Sequence, residues 1–152
     1  MQDGIAIRPA RPGEESELTA LALRSKASNG YDEVFMAACV AELTVPAEAV
    51  AAGEVHVAGE DVAQGMYRLI VKGDLGHVED MFVDPGAKRG GIGRALWMHM
   101  EARAREHGCK RLELDADPFA VPFYEAMGMK ITGESPSGSI PGRMLPRMEK
   151  AL

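Results

Sequence analysis

Val83-Asp84-Pro85-Gly86-Ala87-Lys88-Arg89-Gly90-Gly91-Ile92-Gly93-Arg94 joins a β-prone run to a long helical pattern. Glycines at 90, 91 and 93 remove side chains where the chain enters the helix. Bare backbone N–H groups can then approach an anion, helped by the positive end of the helix dipole. Lys88, Arg89 and Arg94 add positive charge at the same place. The stretch therefore reads as a phosphate cradle between a strand and a helix. It is not a nucleotide-hydrolase loop, because Ile92-Gly93 follows Gly91 where Lys-Ser/Thr would be required. It is not a dinucleotide fingerprint either, since Leu96 stands where a third small residue belongs and the preceding strand sits in an antiparallel context.

Outward from this loop, the pattern on both sides is that of one mixed α/β domain spanning residues 1–152. Ile5 to Arg8 alternates as a first strand, ended by Pro9 and Pro12-Gly13. Glu14 to Lys26 is a helix with acidic residues at its start and basic ones at its end. Asp32 caps a second helix running to about Leu43, limited by Pro46. Val55 to Ala58, Met66 to Val71 and Val78 to Val83 form an antiparallel meander, with Gly59-Glu60-Asp61 and Gly73-Asp74 as turns. The long helix runs from about Gly91 to His107 and stops at Gly108. A strand over 111–114, a short helix over 118–126 and a last strand pair over 130–133 and 143–149 complete the order β-α-α-β-β-β-α-β-α-β-β. Pro146 places the final strand at a sheet edge.

Composition narrows the function. The chain has 152 residues, 46% hydrophobic and 26% charged, the profile of a globular domain with its own core. A formal charge of −6 argues against nucleic-acid binding, favours cationic or neutral substrates, and leaves any anionic cofactor to a local basic patch. With no long apolar run and no basic, apolar N-terminal segment, a membrane partner is not expected and a cytoplasmic location is. Cys39 and Cys109 read as reduced thiols, and no Cys/His spacing suits a metal.

Together these segments resemble the GNAT superfamily, the Gcn5-related N-acetyltransferases. Its phosphate motif, Gln/Arg-x-x-Gly-x-Gly/Ala, is similar to Lys88-Arg89-Gly90-Gly91-Ile92-Gly93, preceded by Met81-Phe82-Val83-Asp84-Pro85. Ala120 and Phe123-Tyr124-Glu125-Ala126-Met127-Gly128-Met129 resemble its later Ala-x-x-x-Tyr and Phe-Tyr-x-x-x-Gly-Phe segment. Departures are Lys88 for Gln or Arg, Asp117 for a common Asn, and Met129 for Phe.

The resemblance implies acetyl-CoA as cosubstrate, no metal, and direct transfer to a primary amine in a ternary complex. The acceptor would be a small molecule; a protein amine, or a non-catalytic acyl-CoA-binding or sensor role, are the alternatives. A homodimer is compatible with the family. Residues 89–94 would hold the pyrophosphate, and Lys88 and Asp117 would be further cofactor contacts, each at a position where the family usually has another residue. The backbone of Met81, Phe82 and Val83 would hold the pantetheine arm, and an N–H near Met81 would polarise the thioester carbonyl. Tyr124 matches the general acid. Glu79 is the preferred base and His77 the second candidate, two apart on one strand face, with Val78, Asp80 and Phe82 on the other face unless a bulge intervenes. Asp80 reads as structural, Trp97 as core, and His99 and His107 as structural or solvated. Tyr31 opens a helix that often shapes the acceptor pocket.

Overall fold

The computed structural model describes residues 5–152. Its strands are β1 (Ile7–Pro9), β2 (Val55–Ala58), β3 (Gly65–Lys72), β4 (Leu75–Val83), β5 (Arg111–Asp115), β6 (Lys130–Pro136) and β7 (Met144–Ala151). Its helices are α1 (Glu15–Ala27), α2 (Glu33–Leu43), α3 (Ala47–Ala51), α4 (Ile92–Glu106) and α5 (Val121–Ala126), with 3-10 turns at Pro85–Ala87 and Pro118–Ala120. The seven strands form one sheet in the order β1-β2-β3-β4-β5-β7-β6, antiparallel except for β4 beside β5. The mixed α/β order expected from the sequence holds, with α3 as an addition: Pro46 ends α2's reach and opens this further turn.

Two layers cover the sheet. On one face, α4 buries Ile92, Leu96, Trp97, Met100 and Ala104 against Tyr67, Leu69, Leu112 and Leu114. Their spacing is that of a single helical face. Each such large side chain contributes roughly 1.5–3 kcal/mol of burial, and Leu96→Ala would cost about 2–5 kcal/mol. On the other face, α1 sets Leu18 and Leu21 against Val55, Val57 and Met66. Asp32 caps α2 by accepting the Phe35 N–H at 2.8 Å.

Three features depart from the sequence reading. First, β7 lies inside the sheet, between β5 and β6. Pro146 is tolerated there because β5 has already ended: Asp115 pairs with Arg147, and the Pro146 carbonyl accepts only the Ala116 N–H beyond it. Second, β4 carries a bulge. Arg68 faces Asp80 while Leu69 faces Val78, leaving Glu79 as the extra residue. Alternation flips there, so Met81 and Val83 join Val78 on the α4 side, and Phe82 turns to α1 and α2. The exception allowed for in the sequence reading therefore applies: the bulge intervenes, and Val78 and Phe82 fall on opposite faces. Third, β4 and β5 pair only from Leu75↔Arg111 to His77↔Glu113. Beyond the bulge they splay apart.

Candidate active site

The splay opens a cleft of about 520 Å³ between β4, β5, the 85–94 loop and the start of α5. Its strand wall carries unpaired backbone. The Asp84 N–H donates to the Gln64 carbonyl on the β3 side. By strand alternation, the N–H and C=O groups of Met81 and Val83 point the other way, into the gap that β5 has left.

That wall ends at the glycine loop. Gly91 is the N-cap of α4 at φ +80°, a left-handed conformation that L side chains resist, and no side chain caps the helix. The N–H groups of the first turn, through Arg94, have no intrahelical acceptor. Gly93 is needed for a different reason: a Cβ there would stand 3.2 Å from the Phe123 ring, so its absence lets α4 and α5 close together. Arg89 also adopts a positive φ of 74°. Lys88, Arg89 and Arg94 line this end of the cleft, and Lys88 reaches back to the Ser28 hydroxyl at 3.3 Å. Of the expected cradle, Lys88, Arg89, Gly91, Ile92, Gly93 and Arg94 line the cleft, together with Met81, Phe82 and Val83. Gly90 does not; it spaces the loop behind them.

Tyr124, on α5, lines the cleft, 8% exposed and packed against Trp97 and Phe123. Its hydroxyl has no hydrogen-bond partner among the described residues. Burial, reinforced by the negative charges of Asp80 and Asp117, pushes the phenol's pKa well up, so it keeps its proton at any physiological pH.

The carboxylates near the bulge divide their roles. His77 lies outside the cleft lining, with Nε2 3.3 Å from Glu79 Oε2 and Nδ1 2.9 Å from Glu113 Oε2. Both ring nitrogens can donate only if the ring is an imidazolium. The Glu79 bond, aided by Glu113, raises the ring's pKa accordingly. The same bond holds Glu79 below its ordinary pKa. Arg147 closes the chain on Glu113. Asp80 has no hydrogen bond or ion pair among the described residues, although it lines the cleft. Burial, and then the adjacent charge of Glu79, raise its pKa to about 7. No residue type or spacing in the sequence distinguishes Asp80 from Glu79; the bulge and the partners do.

Two other expected site residues are engaged with neighbouring side chains. Asp117 lies in the lining, but its carboxylate accepts from Lys26 at 2.9 Å, from the Tyr31 hydroxyl at 2.9 Å and from the Phe119 N–H at 2.9 Å. Burial opposes its charge, yet these donors hold its pKa low. Tyr31 lies outside the lining. Its ring stacks on Phe35 at 4.0 Å under the Arg143 guanidinium, and its hydroxyl is spent on Asp117 and Arg143. It ties α2 to the segment after β5 rather than facing the acceptor space.

The profile of the acetyltransferase (GNAT) domain family matches residues 22–151. Among curated proteins, glucosamine 6-phosphate N-acetyltransferase of Trypanosoma brucei brucei is 39% identical over 56 residues, 37% of this chain and 38% of that one. Blasticidin-S acetyltransferase of Streptomyces morookaense is 37% identical over 62 residues, 40% of this chain and 46% of that one. The matches span less than two thirds of these relatives' length. Among solved structures, a GCN5-related N-acetyltransferase from Rhodopseudomonas palustris superposes with a TM-score of 0.79 at 24% identity, covering 97% of this chain and 95% of that one. The PaiA N-acetyltransferase of Thermoplasma acidophilum, in complex with coenzyme A, gives 0.77 at 17% identity over 98% and 99%. With 130 residues matched by one family profile and the overall fold shared with these structures, the chain belongs to the GNAT family of acetyltransferases.

Proposed function

We propose that the protein transfers the acetyl group of acetyl-CoA directly to the amine of a small molecule bound in the same cleft. The observation that carries this reading is the continuity of the wall. The unpaired edge at Met81 and Val83 runs into the uncapped first turn of α4, and Tyr124 and Asp80 stand along the same opening. The diphosphate sits on the N–H groups at the start of α4, with Lys88, Arg89 and Arg94 neutralising its charge. The pantetheine amides pair with Met81 and Val83 as an added strand would.

The amine nitrogen attacks the thioester carbonyl carbon, the C–S bond breaks, and an amide and free coenzyme A result. Asp80 accepts the proton that the amine gives up, since a carboxyl titrating near 7 is poised for that exchange. Tyr124 donates its phenolic proton to the departing sulfur. Glu79, held by His77, stays ionised and keeps Asp80's affinity for a proton high.

Relatives named for glucosamine 6-phosphate make that amino sugar one acceptor to assay, beside simple amines. The test is release of the coenzyme A thiol by purified protein supplied with acetyl-CoA and an amine panel. Turnover with at least one amine is expected. Tight coenzyme A binding with no acetylation of any member would replace this reading with a sensor role, and no binding at all would remove the cradle.

A further inference from the structure

The cleft is electrically divided. Lys88, Arg89 and Arg94 lie at the loop end, where β4 leaves the sheet. The opposite end is lined by Glu42 of α2, Glu79 and Asp80 at the bulge, and Asp115 at the end of β5. At about 3.3 Å per residue, Asp80 is roughly 10 Å back along the strand from Val83. Asp115 stands two residues beyond the last β4–β5 pair, His77↔Glu113, and so level with Glu79 across the splay. Asp80 feels the negative charges of Glu79 and Glu42 and, opposing them, the positive charges of Arg68 and His77.

The positively charged or protonatable groups nearest this end already have carboxylate partners, His77 lying between Glu79 and Glu113. Arg68 bonds Glu54 at 3.0 Å, and Arg147 is bound to Glu113 and remains 3.9 Å from Asp115. Neither lines the cleft, and Lys26, which does, is held by Asp117. Glu42 receives only the neutral Ser139 hydroxyl, and Asp80 receives nothing among the described residues. A cavity end with several carboxylates and no lining cation of its own attracts positive charge and repels negative charge. Leu43 and Leu145 supply apolar wall between the acids, suited to a methylene chain.

We infer that the acceptor is a diamine or polyamine without phosphate: one nitrogen is acetylated beside Asp80 while a second, as an ammonium, is held by Glu42 and Asp115. This rests on the acetyl-transfer reading above and names its substrate class. It also sets this chain apart from the sugar phosphate for which some relatives are named. An ester phosphate would enter a space already lined by like charge, whereas an α,ω-diamine brings positive charge to Glu42, which among the described residues has only the Ser139 hydroxyl, and to Asp115, whose nearest cation is Arg147 at 3.9 Å.

The experiment compares 1,4-diaminobutane, butylamine and glucosamine 6-phosphate as acceptors with acetyl-CoA. The kcat/KM for the diamine should exceed that for the sugar phosphate by about a hundredfold and should fall as salt is added. Glu42→Gln and Asp115→Asn should each raise KM for the diamine by roughly tenfold, while KM for butylamine moves far less. Sugar phosphate turnover equal to or above that of the diamine would overturn the inference. So would diamine KM values within twofold of the parent protein in both variants. Calorimetric titration of the protein saturated with coenzyme A separates this inference from the activity itself. There the diamine should bind at least tenfold more tightly than butylamine even without turnover, and equal affinities would refute the substrate class.

Discussion

His77 Nε2 approaches Glu79 Oε2 to 3.3 Å across the bulge, so each of these two residues already has a partner. The Glu79 bond, aided by Glu113, raises the ring's pKa, and the ring in turn lowers that of Glu79. Asp80, the next residue along, is left as the unpartnered carboxyl of the cleft.

Asp80→Asn should therefore lower kcat by about 10²–10⁴-fold while coenzyme A affinity stays within twofold. In the parent protein, kcat/KM should drop as pH falls through about 7, because the base is then protonated. Glu79→Gln should shift that limb to lower pH, since it removes a negative neighbour. A pH–rate profile of the three proteins checks both statements, and an unmoved limb would detach Glu79 from Asp80.

The same residue should carry a pH-dependent cost to stability. Below about pH 4 Asp80 is neutral in both the folded and the unfolded chain, so it contributes nothing. Between pH 4 and 7 the unfolded chain loses the proton first, and folding is progressively disfavoured; above 7 the full cost applies. Asp80→Asn should thus leave Tm nearly unchanged at pH 4 and raise it by about 2–4 °C at pH 8, as read by calorimetry.

Tyr124→Phe removes a proton donor and leaves its packing against Trp97 and Phe123 intact. Turnover should fall by at least about tenfold, with a much smaller change in coenzyme A dissociation constant. Retained turnover would take the phenol out of the reaction.

Gly91→Val forces a branched side chain into a left-handed φ of 80°, and Gly93→Leu drives a side chain into the Phe123 ring. Both should weaken coenzyme A binding by tenfold or more, for two distinct reasons. Gly91→Val should act mainly on affinity, because it distorts the cradle. Gly93→Leu should also lower Tm by several degrees, because it separates α4 from α5. Isothermal titration alongside thermal melts distinguishes them.

The sequence by itself carried the element order, the antiparallel meander, the buried face of α4 and the glycine loop at its start. Each of these is local: period-2 and period-3.6 patterns, Pro and Gly stops, and a conformational demand confined to neighbours in the chain. Only the tertiary structure decided that β7 lies inside the sheet despite Pro146, that Asp117 and Tyr31 brace the cleft wall, and that Asp80 rather than Glu79 has no partner among the described residues. Those outcomes turn on where β5 ends, on one extra residue in β4, and on groups 34 to 112 positions apart meeting side by side. Charge pairing depends on distance in space, and a one-residue bulge reverses which side of a strand every later side chain occupies, so no pattern along the chain could have fixed them.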